Sequence, residues 1–127
     1  MKWYSLTNLK QTASGEISAE ARVMPDSPWF SGHFPGEPIL PGIAQLSMVF
    51  DAIRHFGDTD LKIFRVKKVR FKQIIRPDDR LKIIAVPRKG DAITYSFKIQ
   101  VREEVACSGM LIVGQKSRRD DCIRLRQ

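Results

Sequence analysis

The chain has 127 residues, 43% of them hydrophobic, and a formal charge of +8. That is the size of one domain with enough apolar content for a packed core, which excludes a disordered or multidomain chain. Two cysteines without CxxC spacing, and no apolar run near the roughly 20 residues of a membrane span, argue against a disulfide framework and a transmembrane helix.

"GEISAEARVM" (Gly15–Met24) alternates, with Ile17, Ala19, Ala21 and Val23 on one face, and is predicted as a strand. "DSPWFSGHFPGEPILPG" is a loop punctuated by proline and glycine. "GIAQLSMVFDAIRHFG" is a helix that starts after Pro41 and ends at Gly57, a suitable C-terminal cap. "LKIFRVKKVRFKQII" (Leu61–Ile75) is a strand with a bend near Lys67–Lys68, and "RPDDR" is a turn. "LKIIAVPR" is a strand and "KGDA" a turn. "ITYSFKIQV" and "EVACSGMLIVG" form an antiparallel pair joined at Arg102–Glu103. One dominant helix and a run of strands is an α+β pattern.

At about 100° per residue, Ile43, Leu46, Val49, Phe50, Ile53 and Phe56 share an apolar face, widened by Ala44, Met48 and Ala52. The helix is therefore expected to be mostly buried. Ser47, Asp51, Arg54 and His55 nevertheless gather in one sector. A polar stripe on such a helix needs partners or a function. The plain reading is an ion-pair network of Asp51 with Arg54 or His55.

The positive charge has two explanations, a nucleic acid or an acidic protein partner. Part of it sits in "QKSRRDDCIRLRQ", a tail at about 115–127 expected to be basic and solvated. "FRVKKVRFK" interleaves cations with aromatics, but Phe64 and Phe71 suit a sheet better than a stacking platform, so nucleic acid ranks last. His33 and His55 are the only histidines and lie in no ligand-spaced cluster, so no metal is expected. There is no phosphate loop or dinucleotide motif. "MKWYSLTNLKQ" lacks the apolar core of a signal peptide, which makes a cytoplasmic protein with free thiols the expectation.

"GHFPGEPILPG" (Gly32–Gly42) resembles the motif of the 3-hydroxyacyl-acyl-carrier-protein dehydratases, and "PILPGIAQL" is most similar to the dehydratase-like proteins of aryl polyene pathways. "VRFKQIIRPDDRLKI" and "ACSGMLIVG" extend the resemblance from about Gly15 to Gly114. It implies the hotdog fold, an antiparallel sheet wrapped around one long central helix, as a single domain over residues 1–127. It also implies a homodimer, with acyl carrier protein as partner and no cofactor of its own, since the phosphopantetheine arm belongs to the carrier.

By the same resemblance His33 is the base and the backbone amide of Gly42 binds the thioester carbonyl. The family's helix acid falls fourteen residues after the histidine, where this chain has Ser47. A serine hydroxyl has no useful acidity at neutral pH. Asp51, one turn later, is the carboxylate that replaces it in the favoured reading. There His33 and Asp51 form the pair across the dimer interface, with Ser47 as a hydrogen-bonding neighbour. In a second reading Ser47 and Asp51 hold a water for thioester hydrolysis. In a third the chain is a non-catalytic acyl-carrier-binding subunit. For the carrier, alternation along the strand puts Lys68, Arg70 and Lys72 on one face and Arg65 and Lys67 on the other.

Overall fold

Period-two alternation builds the sheet from β2 (Ile17–Val23) outwards. Ile17, Ala19, Ala21 and Val23 are buried, while Glu20 and Arg22 between them are exposed. The computed structural model describes residues 3–30, 40–57, 60–89 and 93–115, without the side chains of residues 29 and 115. His33, Cys122 and the basic tail lie outside the described residues.

On one side β2 pairs with a strand that the sequence reading did not contain, β1 (Tyr4–Gln11). Tyr4 lies opposite Val23 and Leu6 opposite Ala21, so both join the core face. The register then slips between Thr7 and Lys10, where Asn8 has φ 52°. The other strands are β3 (Leu61–Phe71), β4 (Arg80–Arg88), β5 (Ile93–Val101) and β6 (Glu104–Gln115). The sheet order is β1-β2-β4-β5-β6-β3, antiparallel at each pair, which leaves β1 and β3 as its edges.

The turns follow their residues. Arg102 and Glu103, with φ 51° and 68°, form the two-residue connection between β5 and β6. Two left-handed residues match the twist of the strands they join. In the "RPDDR" turn Asp79 accepts the Arg76 backbone N–H at 2.8 Å.

The helix α1 (Gly42–Phe56) has the expected bounds. Pro41 caps it, and its carbonyl accepts the N–H groups of Ala44 and Gln45 at 3.1 and 3.2 Å. Gly57 at the C-cap is extended, with φ −114°, rather than left-handed. Space explains the glycine better than conformation, because a Cβ there would stand 2.7 Å from Leu61 Cδ1.

The helix lies over β2 and β4, flanked by β1 and β3. Ala44, Gln45, Met48, Val49, Ala52 and Ile53 are buried against this sheet. The expectation of burial nearly all round does not hold within one chain. Ile43 is 67% exposed, Ser47, Arg54 and His55 are exposed, and Leu46, Phe50 and Phe56 are half-buried. The cause is geometric: the sheet covers one side of α1 and leaves the opposite side open.

β3 bends where expected, at Lys68 (φ 56°), but stops at Phe71. It carries two irregularities, between Ile63 and Arg65 and between Lys67 and Arg70. They overturn the simple alternation. Arg65, Lys67 and Arg70 lie opposite Ile112, Met110 and Ser108, while the intervening Leu111 and Val113 are buried in the core. All three cations therefore share the outer face, away from α1, because each extra residue in a strand reverses the facing of those beyond it.

Candidate active site on the central helix

His33, the expected base, lies outside the described residues; Gly42, Ser47 and Asp51 are all on α1. A helix rises 1.5 Å per residue, which sets Ser47 about 7.5 Å and Asp51 about 13.5 Å along the axis from Gly42. Nine residues also turn the helix by about 180°, so Gly42 and Asp51 project from opposite flanks. The contacts agree. The Phe71 ring of β3 lies against Gly42, where an added Cβ would come 2.5 Å from its Cζ. Asp51 meets Tyr4 of β1.

Ser47 is exposed and its hydroxyl donates to the Ile43 carbonyl at 3.0 Å. This is the local bond that serine adopts inside a helix. Asp51 is engaged separately. The Tyr4 hydroxyl donates to Oδ2, and Arg54 Nη2 donates to Oδ1 at 3.2 Å. Arg54 is in turn held over the Phe50 ring, 5.4 Å from its centroid. The ion pair expected from helical spacing is present. The Asp51 side chain keeps 23% of its surface accessible. It borders an open groove of about 490 Å³ between β1 and the C-terminal half of α1, lined also by Leu6, Leu9, Arg54 and His55.

Two polar residues here were not singled out from the sequence. Tyr4 was missed because its strand was missed. Gln45 is 3% exposed at the helix start, and its Nε2 donates to the Leu40 carbonyl at 3.1 Å. Leu40 in turn donates its N–H to the Ile75 carbonyl at 2.9 Å. The amide thus braces the chain where it enters α1, while its Oε1 has no hydrogen-bond partner among the described residues. A glutamine inside an otherwise apolar run was the available signal.

Among the described residues no group of three His, Cys, Asp or Glu side chains could hold a metal ion. Among them, too, no helix is long and apolar enough to cross a membrane.

A six-stranded antiparallel sheet wrapped around one helix, with a polar stripe on that helix, defines a hotdog protein. The chain is similar in structure to the dehydratase heterocomplex ApeI:P of Xenorhabdus doucetiae, with a TM-score of 0.74 and 23% identity over 91% of this chain and 100% of that one. It is also similar to an uncharacterized protein of Erwinia carotovora subsp. atroseptica, with a TM-score of 0.68 and 27% identity over 87% and 93% of the two chains. The family model described as ApeI dehydratase matches residues 9–110, and the chain belongs to this ApeI-like dehydratase family.

Curated relatives agree at that level. The 3-hydroxyacyl-[acyl-carrier-protein] dehydratase FabZ of Syntrophobacter fumaroxidans is 30% identical over 112 residues, 80% of this chain and 76% of that protein. FabZ of Haemophilus influenzae is 31% identical over 110 residues, 79% and 74% of the two.

Proposed function

We propose that the protein dehydrates 3-hydroxyacyl thioesters carried on acyl carrier protein, with Asp51 in place of the missing helix acid. His33 takes a proton from C2. The enolate oxygen rests on the Gly42 N–H, where the unpaired amides and dipole of a helix start favour negative charge. Asp51 gives a proton to the departing 3-hydroxyl, which leaves as water, and a C2–C3 double bond forms. His33 and Asp51 return to their starting states by exchanging protons with solvent. The displacement from position 47 to 51 is about 6 Å along the helix, and a bridging water carries the proton across it. No cofactor is required.

One observation carries this reading: Asp51 is the only carboxylate on α1, and it is half-buried and oriented by two donors at the edge of an open groove. A second reading has its own support. Both Asp51 oxygens already accept hydrogen bonds and Ser47 is bonded to its own helix, so the family's acid position is chemically empty. The chain would then bind acyl carrier protein without catalysis, beside a subunit that supplies the acid.

The active assembly in the first reading is a homodimer joined along β3. Ile63, Phe64, Val66 and Phe71 of this edge are 36%, 53%, 38% and 54% exposed, and Ile43 on the open side of α1 adjoins them in the proposed interface. Exposed apolar residues concentrated on an edge strand favour association. The carrier, which the family resemblance makes acidic, approaches the helix start. Lys72, just past the end of β3 and next to Phe71, whose ring lies on Gly42, is the cation placed to meet the carrier, while Arg70 faces away from α1.

The test is incubation with 3-hydroxyacyl carrier protein, followed by mass spectrometry for loss of water. Turnover lost in His33→Ala and in Asp51→Asn, and largely kept in Ser47→Ala, is the expected result. Full activity in Asp51→Asn overturns the relocated acid. Activity seen only after Ser47→Glu selects the second reading.

A further inference from the structure

The groove does not end at Asp51. It continues along α1 to Arg54 and His55, with Leu6 and Leu9 of β1 among its lining residues. The substrate's thioester, in the dehydratase reading, lies towards Gly42, so this continuation receives the part of the acyl chain beyond C3. Its lining is not that of a tunnel for a plain alkyl chain. Leu6 and Leu9 provide apolar surface, but the far end is a guanidinium and an imidazole.

These two groups differ in availability. Arg54 is occupied, donating to Asp51 and lying over Phe50. His55 makes an edge contact with Phe56, 4.9 Å between ring centroids, and among the described residues its nitrogens take no hydrogen bond. An alkyl end placed against that imidazole would strip water from it without replacing the lost bonds, which is unfavourable. A hydroxyl placed there replaces the water. The 3-hydroxyl, one water away from Asp51, lies at the level of position 47, and His55 stands eight residues beyond that position, about 12 Å along the axis, which is the span of about nine carbon–carbon bonds in an extended chain.

From this we infer that His55 is a specificity residue, and that the preferred substrates are 3-hydroxyacyl thioesters with a second hydrogen-bonding group, such as a hydroxyl, about nine carbons beyond C3. The inference rests on the dehydratase reading for the direction in which the substrate lies.

The probes are the 3,12-dihydroxydodecanoyl and 3-hydroxydodecanoyl thioesters of acyl carrier protein, compared by kcat/KM. The expected preference for the dihydroxy substrate is about tenfold, the ratio that one well-made hydrogen bond gives. His55→Phe, which keeps a ring in place, abolishes the preference, and His55→Gln keeps part of it. Equal rates, a preference for the plain chain, or a preference that survives His55→Phe would overturn the assignment. Should neither thioester be turned over, the dehydratase reading fails first. The affinities for 12-hydroxydodecanoyl and dodecanoyl carrier protein then decide the groove separately: a tenfold difference removed by His55→Phe upholds His55, and equal affinities reject it.

Discussion

The hydroxyl of Tyr4 donates to the carboxylate of Asp51, and this bond ties the edge strand β1 to the middle of the central helix. Tyr4 is 4% exposed and paired with Val23 in the sheet, so its ring is fixed from behind. A donor held this way restricts the carboxylate to one orientation.

Tyr4→Phe removes the hydroxyl and leaves the ring. A hydrogen bond to a carboxylate is worth about 1.5–3 kcal/mol, and denaturant unfolding should show a loss of that size. Turnover should fall as well, with kcat reduced more than KM is raised, because the acid loses its alignment rather than the substrate its binding surface. An unchanged stability would show that the bond contributes nothing net.

Gly42→Ala tests the contact between helix start and edge strand. The new methyl displaces the Phe71 ring, which is 54% exposed and can swing into solvent. Stability should change by no more than about 1 kcal/mol, since alanine is the better helix former. Dehydration should drop, because the ring and the amide beside it are no longer in register. Phe71→Ala in the same chain should recover part of the loss.

Salt separates the two proposed associations. β3 carries Lys62, Arg65, Lys67, Lys68 and Arg70 and no acid. Self-pairing along this strand brings like charges together, which is destabilising. The screening length falls from about 10 Å at 0.1 M to about 3 Å at 1 M salt, so the homodimer should tighten as salt rises, by sedimentation or light scattering. Binding of an acidic carrier should weaken over the same range. A homodimer that loosens with salt would argue against self-pairing on β3.

Burial in the sheet core pushes the Cys107 thiol from 9.0 up to about 11. A group whose pKa is raised on folding favours the folded state while protonated. That contribution is complete below pH 9 and is lost as pH rises towards 11. In a Cys122→Ser background, Cys107 should react with thiol reagents only on unfolding at pH 8. Stability should decline between pH 9 and 11, with a shallower decline in Cys107→Ala.

The parts of the fold that were readable from sequence are those where periodicity is unbroken. β2 alternates cleanly, and α1 is bounded by Pro41 and Gly57. β1 was not readable because the bulge at Asn8 spaces its apolar residues unevenly: Tyr4 and Leu6 are two apart, Leu6 and Leu9 three. The cations of β3 were placed on the wrong faces for the same reason, a period interrupted twice. At the site, helical spacing correctly paired Asp51 with Arg54. Tyr4 is 47 residues away and reaches Asp51 only through the sheet, a relation that no local pattern contains. Ile43 shows the limit of composition, since an apolar residue on the open side of a helix looks like core until the sheet is seen to cover only one side.

The two bulges also determine where β3 can change length. Phe64 and Lys68 are the extra residues, Phe64 lying between the paired Ile63 and Arg65 and Lys68 in the stretch between the paired Lys67 and Arg70. Removing Lys68 leaves Lys67 opposite Met110 and Arg70 opposite Ser108, and the strand is straightened without rotation of its side chains. Removing Val66 instead shifts the parity of its neighbours and turns a lysine or arginine towards the buried face of the sheet. Insertions and deletions in this family should therefore collect at those two positions, and an alignment gap elsewhere in the strand would mark a protein whose edge is built differently.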